Sequence, residues 1–517
     1  MKTIKYFDLN KFDSYEKLAF LFCFSLFLLL ILLSHFHEIA AWGETDFYGA
    51  YSHYAEEMLA GEPYRGTDHG PGYIFILTIF YLVIGDTYNA GKFVSIFSSL
   101  LFIFFTFQTI KVLFNSKLAF YTVVLVSIII IPYSILASND MFFAFIVALS
   151  IFFIFSNGKV SINNLLWGGI ISGYAFMTRM NALILPLAVI TIVLFINPEN
   201  WLWKKRIRGL LIYGALFFLA SSPWFIMNYV NYGSPLASLE AHKTIGASML
   251  VEGSDSANFA WGAETAAIGE KYDSMFSLVL KNLSAFITFF FQNMLNHFRK
   301  LLLYVLEFPA YLFFLPGILL IFTGINKRQL SYYTVAAFGF LIYCVLNFST
   351  RFYFYVIALF FLPVVYFLFY DNYSESRSFQ LKLSILNKIF LGIIILFLLK
   401  SSYTEVKKYI TYEPLYLLKA AEVFKNQSKN SDIVLARKPH LAHLSDRKVA
   451  FFPDVDSLDQ LIIHAKEINA DFIFYGVIEQ EVRPQLKILL EPDKVSPFLQ
   501  LIYSQTQPEI YLYKIRK

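Results

Sequence analysis

The sequence predicts an all-α polytopic membrane domain of about 11 transmembrane helices, followed by a small α/β domain outside the membrane. Three observations predict it. Of 517 residues, 57% are hydrophobic and only 15% are charged, whereas ordinary soluble domains carry about 25% charged residues. Apolar runs of membrane-spanning length recur between Leu18 and Leu399. Beyond Leu399 the pattern changes to short strand-like runs and one amphipathic helix.

A bilayer core about 30 Å thick takes roughly 20 apolar residues in a helix. The first run, Leu18–Ser34, follows Lys2, Lys5, Lys11 and Lys17 and has no small-residue cleavage site after it, so it reads as a retained span. The next are Phe93–Phe114, Leu118–Ala137, Met141–Ser156, Leu165–Thr178, Ala182–Ile196 and Ile207–Met227. The last are Leu301–Thr323, Tyr332–Phe348, Phe352–Tyr370 and Ile385–Leu399. Short loops rich in Lys and Arg stay cytoplasmic. With the N-terminus inside, these spans put Lys111, Lys117, Lys159, the Lys204–Arg208 cluster, Lys327, Arg328, Arg377 and Lys382 on that side. The first outer loop, 35–92, is mainly acidic. Tyr73–Ile84, about 18 Å long as a helix, and Phe276–Leu295 would invert this arrangement if they crossed. Both are expected as helices at the outer interface.

Residues 1–400 are thus expected to form the membrane domain and 401–517 the outer domain. In the latter, Ile433–Ala436 and Asp471–Gly476 read as strands, Ser457–Asn469 as a helix, and Phe498–Ser504 with Glu509–Ile515 as a hairpin. The net charge of +5 comes from short clusters between apolar runs, which argues against nucleic acid as a partner. Cys23 and Cys344 sit inside apolar stretches, so neither a disulfide framework nor a cysteine metal site is available.

The chemistry concentrates at the outer face. Asp46 lies in Trp42-Gly-Glu-Thr-Asp-Phe-Tyr just beyond the first span, and Asp140 at the turn between the third and fourth. Either alone reads as a solvated loop residue. Arg179, in Met177-Thr-Arg-Met-Asn, and Arg351, in Ser349-Thr-Arg-Phe-Tyr, stand at two further outer turns. A guanidinium at membrane depth is costly unless paired, and such residues mark ligand sites; the alternative is snorkelling to headgroups. Together with Lys92 they would suit a lipid-borne phosphate or diphosphate.

The order of an Asp after the first span, Tyr51-Ser-His-Tyr-Ala-Glu-Glu-Met-Leu-Ala-Gly and a turn at His69-Gly-Pro resembles the GT-C glycosyltransferases. The likeness is greatest to the branch of protein O-mannosyltransferases and lipid A aminoarabinose transferases. Later elements agree in order: Asp140; Gly173-Tyr-Ala-Phe-Met-Thr-Arg-Met-Asn; Ser222-Pro-Trp with Asn228-Tyr-Val-Asn-Tyr-Gly-Ser-Pro; Arg351-Phe and Pro363. The tail, with Ala436-Arg-Lys-Pro-His-Leu-Ala, looks like the outer domain of bacterial members. The chain departs from the family where an Asp-Glu pair reads Asp46-Phe47, with Glu44 before it, and where a Pro-Pro turn reads Gly70-Pro71-Gly72.

The resemblance implies transfer of a sugar from a polyprenyl phosphate to an acceptor hydroxyl, with inversion, at the outer face of the cytoplasmic membrane. Asp46 would be the base, and Asp140 would orient the acceptor or the surroundings of Asp46. Arg179, Arg351 and Lys92 would hold the phosphate, and Glu44 and His69 would contact substrate. The acceptor is a lipid, a glycan or a protein. No cofactor is assigned, and a divalent metal stays open. Asp454-Val-Asp456 resembles the metal-binding motif of nucleotide-sugar transferases, but Asp456 and Ser457 precede a helix and read as its cap. His440-Leu-Ala-His443 lacks neighbours to complete four ligands. A transporter or lipid flippase is the rival reading; it would place ionisable residues mid-span in repeated halves.

Overall fold

The structure is a computed structural model. It describes residues 13–40, 44, 47–62, 64–65, 70–235, 241–250, 268–272, 274–345, 349–369, 377–453, 455–495 and 497–516. The chain divides into two compact units. The first is Met1–His37, Tyr54–Leu239 and Leu283–Thr411; the second is Glu38–His53, Glu240–Asn282 and Tyr412–Lys517.

The first unit is a bundle of apolar helices. Among the described residues seven are long and apolar enough to cross a membrane, or eight if the bent pair Met275–Lys281 and Leu283–Leu306 counts as one. Each of the remaining expected spans is helical but shorter: Ile162–Thr178, Met180–Ile196, Ala310–Gly324 and Lys327–Tyr343. Leu301–Thr323 differs from the expected single span. A π turn, Leu302–Leu306, ends at Glu307, and a new helix starts at Ala310. Pro309 causes the break, since the residue before a proline is pushed out of the helical region. Phe276–Leu295 is likewise divided, at Asn282.

Glycines set the closest helix approaches. A Cβ on Gly169 would stand 2.6 Å from the Tyr213 carbonyl oxygen, and one on Gly173 2.4 Å from that of Phe217. The helices Ile162–Thr178 and Trp203–Tyr232 therefore touch backbone to backbone, the small-residue packing that holds helices together in lipid. Polar atoms in this seam satisfy one another: the Tyr213 hydroxyl donates to Ser172 Oγ at 2.7 Å, and Ser172 and Ser150 share a bond of 2.7 Å.

Polar contacts sort the helix ends into two groups. At one end Lys111 pairs with Glu16, Gln329 Nε2 donates to the Leu113 carbonyl at 3.0 Å, and Arg328 grips Glu199 at 2.9 and 3.1 Å. At the opposite end Lys92 Nζ donates to the carbonyls of Ser34 (3.2 Å) and His37 (2.8 Å), and Ser95 Oγ to that of Ser138 (3.2 Å).

In the second unit the tail forms a five-stranded sheet in the order β2-β1-β3-β5-β4. The strands are β1 Ile433–Ala436, β2 Lys448–Phe451, β3 Phe472–Tyr475, β4 Leu499–Thr506 and β5 Glu509–Ile515. β1 runs parallel to β2 and β3, and β5 runs antiparallel to β3 and β4. Alternation divides the residues between two cores. Val434, Ala436, Phe472, Phe474, Ile510 and Leu512 pack against Leu417 and Phe424 of the Tyr416–Gln427 helix. Leu435, Ile473, Tyr475, Tyr511 and Tyr513 pack against Leu461 and Ala465 of the Leu458–Glu467 helix. Ser457 caps that second helix by accepting from the Gln460 amide, as the sequence implied.

Candidate functional site

Three helix ends carry the site in the first unit. Asn139 starts the Asp140–Ile154 helix, so Asp140 is its first residue and its carboxylate lies at the positive end of the helix dipole. The phenylalanine-rich run behind it allows no solvent: the Asp140 side chain is 4% exposed. Arg179 ends the Ile162–Thr178 helix with φ −152° and ψ 134°, an extended residue that turns the chain into the Met180–Leu183 turn. Arg351 lies in the 3-10 turn Thr350–Val356 that leads into Ile357–Leu368.

These ends converge. Arg179 Nη1 is 2.7 Å from Asp140 Oδ1 and Arg351 Nη1 is 3.7 Å from Asp140 Oδ2. The Arg179 approach is a charge contact without hydrogen-bond angles, for among the described residues Oδ1 accepts no hydrogen bond. One buried carboxylate thus faces two guanidiniums. Exposure rises from 4% at Asp140 to 20% at Arg179 and 34% at Arg351, so the cations, not the carboxylate, face outward. The sequence assigned Asp140 to the acceptor or to Asp46. Among the described residues its carboxylate oxygens approach the two arginines.

Aromatic groups fix the arginines. Arg179 lies over Phe143 at 5.9 Å and Arg351 over Phe352 at 5.6 Å. Phe352 stacks on Tyr343 (5.1 Å, 6° between planes), and the Tyr343 hydroxyl accepts from Asn181 Nδ2 at 2.7 Å. The sequence did not single out Asn181 or Tyr343 as neighbours of the arginines. Asn181 lay in the quoted Met-Thr-Arg-Met-Asn run, but nothing in the sequence pairs it with Tyr343.

Gly70-Pro71-Gly72 explains its own departure from the family pattern. A Cβ on Gly70 would lie 1.8 Å from the Met177 carbonyl oxygen, and one on Gly72 2.7 Å from Thr178 Oγ1. Tyr174 donates to the Gly72 carbonyl at 2.8 Å. The turn therefore abuts the backbone immediately before Arg179, where only glycine fits.

Of the remaining candidates, Lys92 joins the same end of the bundle, with its ammonium on the carbonyls that finish the first helix and 5.0 Å above the Tyr88 ring. Glu44 is buried in the second unit. Asp46 and His69 lie outside the described residues. Among the described residues no three His, Cys, Asp or Glu side chains gather as a metal site.

The comparisons agree with this architecture. The family model described as dolichyl-phosphate-mannose-protein mannosyltransferase matches residues 68–226, a segment containing Lys92, Asp140 and Arg179. The crystal structure of ArnT from Cupriavidus metallidurans bound to undecaprenyl phosphate is similar, with a TM-score of 0.61 at 11% identity, over 96% of this chain and 97% of that one. Archaeal oligosaccharyltransferase AglB from Archaeoglobus fulgidus, in complex with an inhibitory peptide and a dolichol-phosphate, aligns with a TM-score of 0.55 at 12% identity. That alignment covers 89% of this chain and 70% of that one. No curated protein matches in sequence. A helical membrane bundle with an ionic cluster at its helix ends and an appended α/β domain is the GT-C fold. The chain is similar in fold to ArnT and AglB over most of its length, and its residues 68–226 match the protein mannosyltransferase family model.

Proposed function

We propose that this chain is a multi-pass membrane glycosyltransferase that moves a sugar from a polyprenyl phosphate to an acceptor hydroxyl. The observation that carries the reading is the pair Arg179 and Arg351, held outward by the buried carboxylate of Asp140. Two forked cations at one end of a membrane bundle suit a lipid-borne phosphate. The ArnT and AglB structures that share the fold were obtained with undecaprenyl phosphate and dolichol-phosphate, which supports the same donor class here.

In the reaction, the acceptor oxygen attacks the anomeric carbon from the face opposite the phosphate, and that carbon inverts. The bond from the anomeric carbon to the phosphate oxygen breaks, and its electron pair leaves with the polyprenyl phosphate. Arg179 and Arg351 stabilise the negative charge that grows there. The acceptor proton passes to Asp46, the proposed base. Asp140 is the positioning group for both arginines, and Lys92 braces the end of the first helix, which precedes Glu44 and Asp46 in sequence. His69, one residue before the Gly70 turn, would reach the donor. A sugar phosphate is already a good leaving group, so the reaction needs no separate strong acid.

The grouping of Lys111, Lys327 and Arg328 at the opposite end of the bundle supports a cytoplasmic N-terminus and a site on the outer face of the cytoplasmic membrane. The C-terminal domain would then be extracytoplasmic. The lipid, glycan or protein that accepts the sugar comes from that side.

Purified protein with a polyprenyl-phosphate sugar and cell-envelope acceptors tests this. Release of polyprenyl phosphate with a glycosylated product is expected. Passage of intact donor across vesicles without bond cleavage would overturn the reading in favour of a flippase.

A further inference from the structure

The tail contains a histidine pair that neither metal chemistry nor the reaction above uses. His440 and His443 belong to the helix His440–Ser445, which follows β1. They do not point to a ligand. Their partners are residues of Glu38–His53, the segment that belongs to the same unit although it lies some 400 positions earlier.

Among the described residues several contacts make the attachment. His440 Nε2 donates to the Ala40 carbonyl at 3.0 Å. Glu413 Oε1 accepts the Glu38 amide at 2.9 Å. The Tyr48 ring stacks on His443 (4.2 Å, 22°) and meets His440 edge-on at 5.1 Å, while its hydroxyl accepts the Ala40 amide at 3.3 Å. Gly49 abuts Pro439, where an added Cβ would lie 3.1 Å from the proline Cγ. His440 and Glu413 are buried at 1% and 8% exposure. A buried polar group must be hydrogen-bonded, so each of these side chains specifies one position for the segment rather than a range. The contacts fall at residues 38–40 and 48–49, and so bracket Glu44 and Asp46 on both sides.

We propose that the C-terminal domain is part of the active-site scaffold: Glu413, Pro439, His440 and His443 clamp Glu38–His53 and thereby position Asp46. This rests on the proposed role of Asp46. They are positioning residues, and their loss acts on turnover through the segment they hold.

The test uses the full-length protein in detergent. In His440→Ala/His443→Ala, kcat is expected to fall about tenfold to a hundredfold, as small misplacements of reacting groups do, while the donor KM moves little. Chymotrypsin, which cleaves after aromatic residues such as Trp42, Phe47, Tyr48 and Tyr51, should cut Glu38–Ser52 faster than in the wild type. His440→Gln, which keeps an N–H donor, should recover most of the loss. The geometry also offers a covalent rescue. The Cβ built on Gly49 is 3.9 Å from the Pro439 Cβ, within the separation a disulfide spans. In the double-alanine background, Gly49→Cys/Pro439→Cys should restore turnover and protease resistance on oxidation and lose both on reduction.

A double-alanine variant with wild-type kcat and proteolysis overturns the clamp. So does a disulfide that fails to form, or one that forms and restores neither property. If the clamp variants behave as expected but Asp46→Asn transfers normally, the clamp stands and the catalytic assignment of Asp46 falls.

Discussion

Replacing Asp140 by Asn keeps the side chain's shape and removes its charge from between two guanidiniums. At 2.7 and 3.7 Å, with an effective dielectric constant near 20, each attraction is about 4–6 kcal/mol before desolvation is subtracted. The part-exposed arginines recover water when released, so the net cost is smaller. Removing one partner of a buried pair costs about 3–5 kcal/mol, because the other charge is left behind. Arg179, at 20% exposure, should account for most of it. The melting temperature in detergent is expected to drop by several degrees, and transfer to fall about a hundredfold as the two cations separate. A cycle with Asp140→Ala and Arg179→Ala isolates the pair: the double variant should be more stable than the sum of the single losses predicts, by about 1–3 kcal/mol. Arg179→Lys keeps the charge but loses the fork, so it should retain more stability than activity. An Asp140→Asn protein that melts and transfers like the wild type refutes the reasoning.

Asp46→Asn is expected to abolish release of polyprenyl phosphate while leaving the melting curve in place, measured on the same preparation. Gly70→Ala places a methyl 1.8 Å from the Met177 carbonyl, which should displace the turn before Arg179 and lower both stability and turnover; a wild-type melting temperature would count against the close approach. Gly173→Ile drives a branched side chain into the Phe217 carbonyl, 2.4 Å from its Cβ, and should reduce the yield of folded protein in detergent far more than substitution at Gly214, which faces open space. Burial pushes the His440 imidazole from 6.5 down to about 3, with Lys438 and His443 adding repulsion. The unfolded chain therefore binds this proton first as pH falls. Stability is full above about 6.5 and is lost towards pH 3, by up to about 1.4 kcal/mol per pH unit. His440→Gln should flatten that part of the stability profile measured by denaturant titration.

The bundle was legible because lipid demands long apolar helices with internally satisfied backbones, and each expected span coincides with helix over most of its described residues. Breaks were harder to read. Hydropathy runs through Leu301–Thr323 without a gap, yet one proline suffices to divide it. In the tail, β1 and β3 announced themselves as short apolar runs and the β4–β5 hairpin by alternation. β2 did not, since Lys448 and Phe451 at its ends are both exposed and the strand lies at the sheet edge. Arg179, Arg351 and Asp140 could be named from sequence because charge at a helix end in an apolar context is rare. Their mutual distances could not, because helices far apart in sequence had to be packed first. The same holds for His440: its spacing to His443 suggested ligation, while its actual partner, the Ala40 carbonyl, carries no side-chain signal at all.

The depth of Asp140 bears on why the arginines are effective. An isolated guanidinium at a helix end snorkels towards headgroups and samples many rotamers. Fixing two of them with one buried carboxylate, and backing each with an aromatic ring, removes that freedom before substrate arrives. The cost is folding energy; the gain is a cationic surface that needs no reorganisation when the phosphate takes up charge. A phosphate brings negative charge to the two guanidiniums that this carboxylate holds in place. Binding inorganic phosphate or a polyprenyl phosphate should therefore stabilise the wild type against heat more than it stabilises Arg351→Ala, since ligand linkage scales with the affinity for the native state. Equal stabilisation of both proteins would place the phosphate elsewhere.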